Sequence, residues 1–270
     1  MGETNSGKSL WLQNIAINAA NAGKNVIYFS LEMSEKKSKT EKKKIKTDFY
    51  KNFTDIILEG IKGISYDPKK LVDRYRIVNP EIFETYYTNR QHVIVYSHHM
   101  TNWEWGTLCL GLQMKQHVIG IAKKLSNPYL NTLISEKRST NNLTIVHPGD
   151  TKDLFNNIEK RFKNTPLSMA FISDQYPYGK TRFYKVPFFN NKIKFHAGTA
   201  HYACDNNYPV LSGDIRRIGR GKYEVTMVDL HANPQEIGPE NLTELYAIHL
   251  ESLIKEKPSS WLLSHKRFKD

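Results

Sequence analysis

The sequence predicts an α/β fold in which helices flank a mostly parallel central sheet. Short apolar runs of strand length alternate with amphipathic stretches of helical spacing along most of the chain, the pattern of strands joined by crossover helices. No internal repeat breaks that alternation. With 270 residues, 39% of them hydrophobic, there is enough apolar material for one large core.

The elements follow in order. Gly2-Glu3-Thr4-Asn5-Ser6-Gly7-Lys8-Ser9 fits the G-x-x-x-x-G-K-[ST] pattern, in which backbone amides cradle phosphates. Lys8 would reach the terminal phosphates and Ser9 would ligate Mg²⁺. A helix is expected from about Lys8 to Asn21 with Gly23 as its C-cap, then a strand over 25–33. This stretch resembles the start of the ATPase core of hexameric replicative helicases. A phosphate loop is normally held between a strand and a helix, and here no strand precedes it. Residues 1–34 therefore read as a truncated P-loop-like helix–strand appendage, with Gly7, Lys8 and Ser9 as weak nucleotide-binding candidates, and residues 35–270 as the main domain.

Glu35 to Lys46 carries seven lysines and reads as a solvated linker or a basic patch beside a membrane. Phe49, Phe53, Ile56, Ile57, Gly60, Ile61 and Ile64 then recur at helical spacing, as in a core-packing helix or one lying on a membrane. Strands are expected at 92–96, His117 to Ala122, Leu143 to Val146, Leu167 to Ser173, Tyr208 to Leu211 and Tyr223 to Val228. Helices are expected at Trp105 to Lys115, Pro128 to Arg138, around Leu154, Phe155, Ile158 and Phe162, and at Asn241 to Ile254.

The net charge of +12 implies an anionic partner: nucleic acid, acidic lipid, a phosphorylated glycolipid or an acidic carrier protein. Within residues 1–34, Lys8 and Lys24 are balanced by Glu3 and Glu32, so all of the excess lies beyond residue 34. Cys109 and Cys204 are too few for a disulfide framework and lack metal-ligand spacing, as do His92, His98, His99, His117 and His147, so no metal is expected. The longest uncharged stretch, Ser9 to Gly23, is too short and too polar to span a bilayer. No signal peptide is evident, so any membrane contact is expected to be peripheral.

Ser97 to Trp105 holds the most chemistry. It lies where a buried strand gives way to a helix, and catalytic groups gather at the carboxyl ends of strands in such sheets. A histidine near neutrality takes a proton from an alcohol when its second ring nitrogen is held by an acceptor. Glu104, five residues after His99, is expected to be that acceptor, with Asn102 as helix N-cap.

His99-Met100-Thr101-Asn102-Trp103-Glu104 resembles the H-x-x-x-x-[DE] box of glycerolipid acyltransferases, in the form found in the lipid A biosynthesis lauroyl/myristoyl acyltransferases. Asn127-Pro128-Tyr129-Leu130 with Arg138, Ser173-Asp174-Gln175, Val186-Pro187-Phe188-Phe189 with Gly198-Thr199-Ala200, and Trp261 to Phe268 resemble further family segments in the same order. The resemblance implies transfer of an acyl chain from acyl carrier protein or coenzyme A to a hydroxyl of a lipid A precursor, at the cytoplasmic face of a bacterial inner membrane. It implies no cofactor. His99 would be the base, Glu104 its partner, and Arg138 an oxyanion donor, with amides near Gly198 and Thr199 as alternatives. Asn102, Trp103, Asp174, Gly198 and Thr199 are the substrate-binding candidates, Asp174 also reading as the cap of a turn. The chain departs from the family at 98 and 101, usually glycine and here His98 and Thr101, so backbone strain is expected if either needs a positive φ. The alternatives are an ATP-binding helicase-like fragment and a basic nucleic-acid-binding module; with the acyltransferase reading, no nucleic acid is expected.

Overall fold

The computed structural model describes residues 38–122, 129, 131, 132, 136, 142–163, 165–177, 179–263 and 267. The P-loop-like stretch, the helix expected at Pro128 to Arg138 for the most part, and Arg138 itself lie outside them.

The expected architecture is present. A seven-stranded sheet runs in the order β1-β9-β8-β2-β5-β3-β4, with only the β8–β9 pair antiparallel. Its strands are β1 (Tyr75–Ile77), β2 (Val93–Ser97), β3 (His117–Ile121), β4 (Leu143–Val146), β5 (Leu167–Ile172), β8 (Val210–Gly219) and β9 (Lys222–His231). The central strand β2 buries four residues in a row, Val93 to Tyr96, as a parallel strand covered on both faces must. Alternate residues serve two cores. Ile94 and Tyr96 join Met169, Phe188 and Tyr246 on one face, while Val93 and Val95 join Tyr75, Trp105 and Tyr223 on the other.

The helices are α1 (Lys39–Ser65), α2 (Pro68–Leu71), α3 (Glu81–Thr88), α4 (Trp103–Cys109), α5 (Thr151–Asn156), α6 (Ile158–Phe162), α7 (Gly198–Asn206) and α8 (Gly238–Glu256). Helix α1 begins well before the apolar stripe. Ser38 caps it: the Glu41 amide donates to Ser38 Oγ at 3.2 Å and the Ser38 amide donates to the Glu41 carboxylate at 2.7 Å. From Lys39 onward, the lysine run is therefore helix and not linker. Its stripe turns Phe49 and Ile56 into the core, leaving Leu58 and Ile61 at the surface.

Several elements were not anticipated, among them β1, α2, α3 and α7. A separate antiparallel hairpin joins β6 (Phe183–Phe188) to β7 (Asn191–His196), and α7 follows it directly. Pro187 argues against a strand at β6, although Lys192-Ile193-Lys194-Phe195 alternates with the period of two that a half-buried strand shows. The β8–β9 ribbon is also longer than expected, and its arginines are engaged: Arg216 with Glu256, Arg217 and Arg220 with Asp55.

Candidate active site

The site forms where β2 and β5 end. These strands pair in parallel, Ser97 opposite Ile172, and the Ser173 amide still donates to the Ser97 carbonyl at 3.3 Å. The residues that follow, His98-His99 and Ser173-Asp174, therefore emerge side by side. His99 Nδ1 lies 2.6 Å from Asp174 Oδ1, and the His99 amide donates to Asp174 Oδ2 at 2.9 Å. Trp261 Nε1 donates to that same Oδ2 at 2.7 Å. Buried Arg267 donates to the Asp174 carbonyl and stacks 4.0 Å over the Phe195 ring.

The electrostatics follow from these contacts. Asp174 is 2% exposed, and burial by itself would raise its pKa. The His99 and Arg267 charges, with the His99 and Trp261 hydrogen bonds, outweigh burial and hold the carboxyl well below the usual range. Burial would likewise lower the pKa of His99, yet the Asp174 charge and hydrogen bond, aided by the Glu104 charge, raise it above 6.5. Gln175 Nε2 sits 3.3 Å from His99 Nε2. With the amide donating there, neutral imidazole carries its proton on Nδ1 and a lone pair on Nε2.

The carboxylate at Nδ1 is thus Asp174, where Glu104 had been expected. Glu104 falls in the first turn of α4 and reaches His99 through its charge; Asp174, 75 residues away in sequence, is delivered by strand pairing. Asn102 is the expected N-cap, accepting from the Trp105 amide at 3.0 Å, but it is fully buried and donates to Glu59 Oε2 at 2.8 Å. Both ends of its amide are thus engaged, which ties the start of α4 to Glu59. Trp103 packs edge-on against the His99 ring, centroids 5.0 Å apart. Thr199 Oγ1 lies 3.4 Å from Ser173 Oγ, which puts Gly198 and Thr199, at the start of α7, beside the strand end that carries Asp174.

The two departures from the acyltransferase box differ in effect. Thr101 has φ +51°, a left-handed conformation that costs a β-branched residue free energy, and its buried hydroxyl has no hydrogen-bond partner among the described residues. His98 has no positive φ. It is buried, its ring nitrogens likewise have no partner among the described residues, and desolvation dominates the lowering of its pKa. The segment before the C-terminus straps this loop down: Thr101 N donates to Ser260 O at 2.8 Å and Leu262 N to His99 O at 2.9 Å. Sequence reading missed Trp261, Gln175, Arg267 and Glu59, though the first three lie in or beside segments that resembled the family.

An imidazole anchored through Nδ1 by a buried carboxylate, its side chain 16% exposed and its Nε2 met by the Gln175 amide, is an arrangement that can accept a proton. The chain belongs to the bacterial lipid A biosynthesis acyltransferase family, whose profile matches residues 24–270. It is accordingly an acyltransferase of lipid A synthesis, joining an acyl donor to a lipid acceptor. The search of curated proteins gave no match. The matched span takes in the apolar run 25–33, while Gly7, Lys8 and Ser9 precede it, and the helicase resemblance gains no support. Among the described residues no helix is long and apolar enough to cross a membrane, and no group of three or more His, Cys, Asp or Glu is arranged to hold a metal ion.

Proposed function

We propose that the chain transfers a fatty acyl group from an acyl thioester, on acyl carrier protein or coenzyme A, to a hydroxyl of a lipid A precursor or related lipid. The work is done peripherally at the cytoplasmic face of the inner membrane. His99 Nε2 takes the hydroxyl proton as the oxygen attacks the thioester carbonyl carbon. The tetrahedral intermediate collapses with cleavage of the carbon–sulfur bond, and the imidazolium returns its proton to the departing thiolate, leaving an ester and a free thiol. Asp174 holds the imidazole in the tautomer that accepts a proton and stabilises the imidazolium. Glu104 adds negative charge from the start of α4.

The oxyanion needs donors. Arg138 is one candidate, and the first amides of α7 at Gly198 and Thr199 are others, since the first N–H groups of a helix have no partner within it. Trp103 walls one side of the His99 ring, Asp174 holds Nδ1 from within, and Gln175 must yield Nε2 to the incoming hydroxyl.

The single observation that carries this reading is the 2.6 Å contact between His99 and Asp174 at the ends of two parallel strands. The test is transfer of a radiolabelled acyl chain from acyl carrier protein to a purified lipid A precursor. His99→Ala should abolish transfer while leaving the melting temperature within a few degrees. Transfer at wild-type rate by that variant would remove His99 from the chemistry.

A further inference from the structure

From Gln175 to Cys204 the chain carries no Asp or Glu, yet it holds Lys180, Arg182, Lys185, Lys192 and Lys194. The β6–β7 hairpin organises most of these cations on one surface. Phe183, Lys185 and Pro187 stand opposite His196, Lys194 and Lys192, and residues directly opposed in an antiparallel pair project from the same face. The other face, with Val186, Phe188, Ile193 and Phe195, is buried in the core. On the outer face Lys185, Pro187 and Lys192 are exposed, and Phe183 is 43% exposed.

Two details give this face a direction. Lys194 Nζ lies 4.6 Å from the Phe183 ring centroid and 5.6 Å from that of Tyr176. Tyr176 directly follows Gln175, whose amide touches His99. A continuous strip therefore runs from the imidazole through Gln175, Tyr176 and Lys194 to Phe183. No ion pair joins its lysines to a carboxylate among the described residues. An exposed aromatic ring among lysines suits the boundary of an anionic bilayer: the ring enters the head-group region and the ammonium groups meet lipid phosphates, while the one carboxylate seen on the hairpin among the described residues, Glu251, accepts from the Phe189 amide at its turn.

We infer that the outer face of the β6–β7 hairpin is a docking surface for a bilayer containing anionic phospholipid, bringing the Gln175–His99 end of the strip toward the membrane. This deepens the function proposed above by naming the surface through which the enzyme reaches a lipid acceptor. Its test does not need turnover.

Sedimentation of the purified chain with vesicles of phosphatidylcholine, with and without 30% phosphatidylglycerol (about one lipid in three), compares wild type with two double variants. Lys185→Ala/Lys192→Ala should weaken binding to the anionic vesicles about 25-fold, roughly fivefold for each lysine. Lys69→Ala/Lys70→Ala, on α2, should bind within twofold of wild type, and thermal melts establish that both variants are folded. Wild-type binding by the hairpin variant, equal loss by the α2 variant, or equal binding of wild type to neutral vesicles would each overturn the proposal. So would a hairpin variant that loses affinity for acyl carrier protein but keeps its affinity for vesicles. A chain that docks through the hairpin yet transfers no acyl group would refute the proposed function and leave the docking surface standing.

Discussion

Replacing Asp174 by Asn tests the core of the mechanism with little change in shape. The carboxylate makes a charge-assisted hydrogen bond of 2.6 Å to His99 Nδ1 and accepts from two further donors. Such a bond contributes about 1.5–3 kcal/mol, or roughly a factor of 10–150 in stabilising the imidazolium. An amide in its place can also turn its NH₂ toward Nδ1, moving the imidazole proton to Nε2, where the ring no longer accepts one. Together these effects should lower kcat about 10³-fold with little change in KM. The pH profile provides a second readout. In the wild type, transfer rises with pH as His99 loses its proton, with a midpoint above 6.5 because Asp174 outweighs burial. In the variant burial loses its main opponent, so the midpoint of any residual activity should move downward. Rates measured from pH 5 to 9 with labelled acyl donor decide the matter. A variant within tenfold of wild type, or one whose acid limb stays in place, refutes the claim that Asp174 governs His99.

Glu104→Gln removes a charge that raises the His99 pKa without sitting on Nδ1, so the acid limb should move down by less than in Asp174→Asn, with about a tenfold loss of rate; an unmoved limb would show that its field does not reach His99. Thr101→Gly should raise the melting temperature by about 2–6 °C. It relieves a left-handed conformation and an unpaired buried hydroxyl, against about 0.5–1 kcal/mol of added chain entropy. A lower melting temperature would mean that Thr101 is not strained. Glu59→Ala strands the Asn102 amide and the Tyr223 hydroxyl, which donate to this buried carboxylate at 2.8 and 2.6 Å. The expected cost is about 2–4 kcal/mol, read as a drop in the denaturant midpoint, and an unchanged midpoint would contradict the role given to Glu59.

The contrast between His99 and Asp174 shows how far the residues could be read without coordinates. Central strands such as β2 and β5 advertise themselves as short apolar runs because both of their faces are buried. Asn102 and its cap are visible for a similar reason, since the contact spans only three residues. The pairing of His99 with Asp174 is a product of sheet register, and no local pattern encodes which strand lies next to β2. Trp261 and Arg267 reach the site from farther still, 87 and 93 residues beyond Asp174. The early start of α1 is a different case: Ser38-Lys39-Thr40-Glu41 is a legible capping box, eclipsed by the lysines around it. The hairpin was half legible: Lys192-Ile193-Lys194-Phe195 alternates as a strand with one buried face does, whereas Pro187 argues against a strand at β6.

The strap has a consequence for the order in which the enzyme comes into being. Trp261 and Arg267, which grip Asp174, are made more than 160 residues after His99. At about 5–20 residues per second, the proton-accepting pair waits roughly 8–30 s for its final supports. A growing chain therefore holds Asp174 without these two contacts until residues 261–267 have been made and folded back onto the sheet.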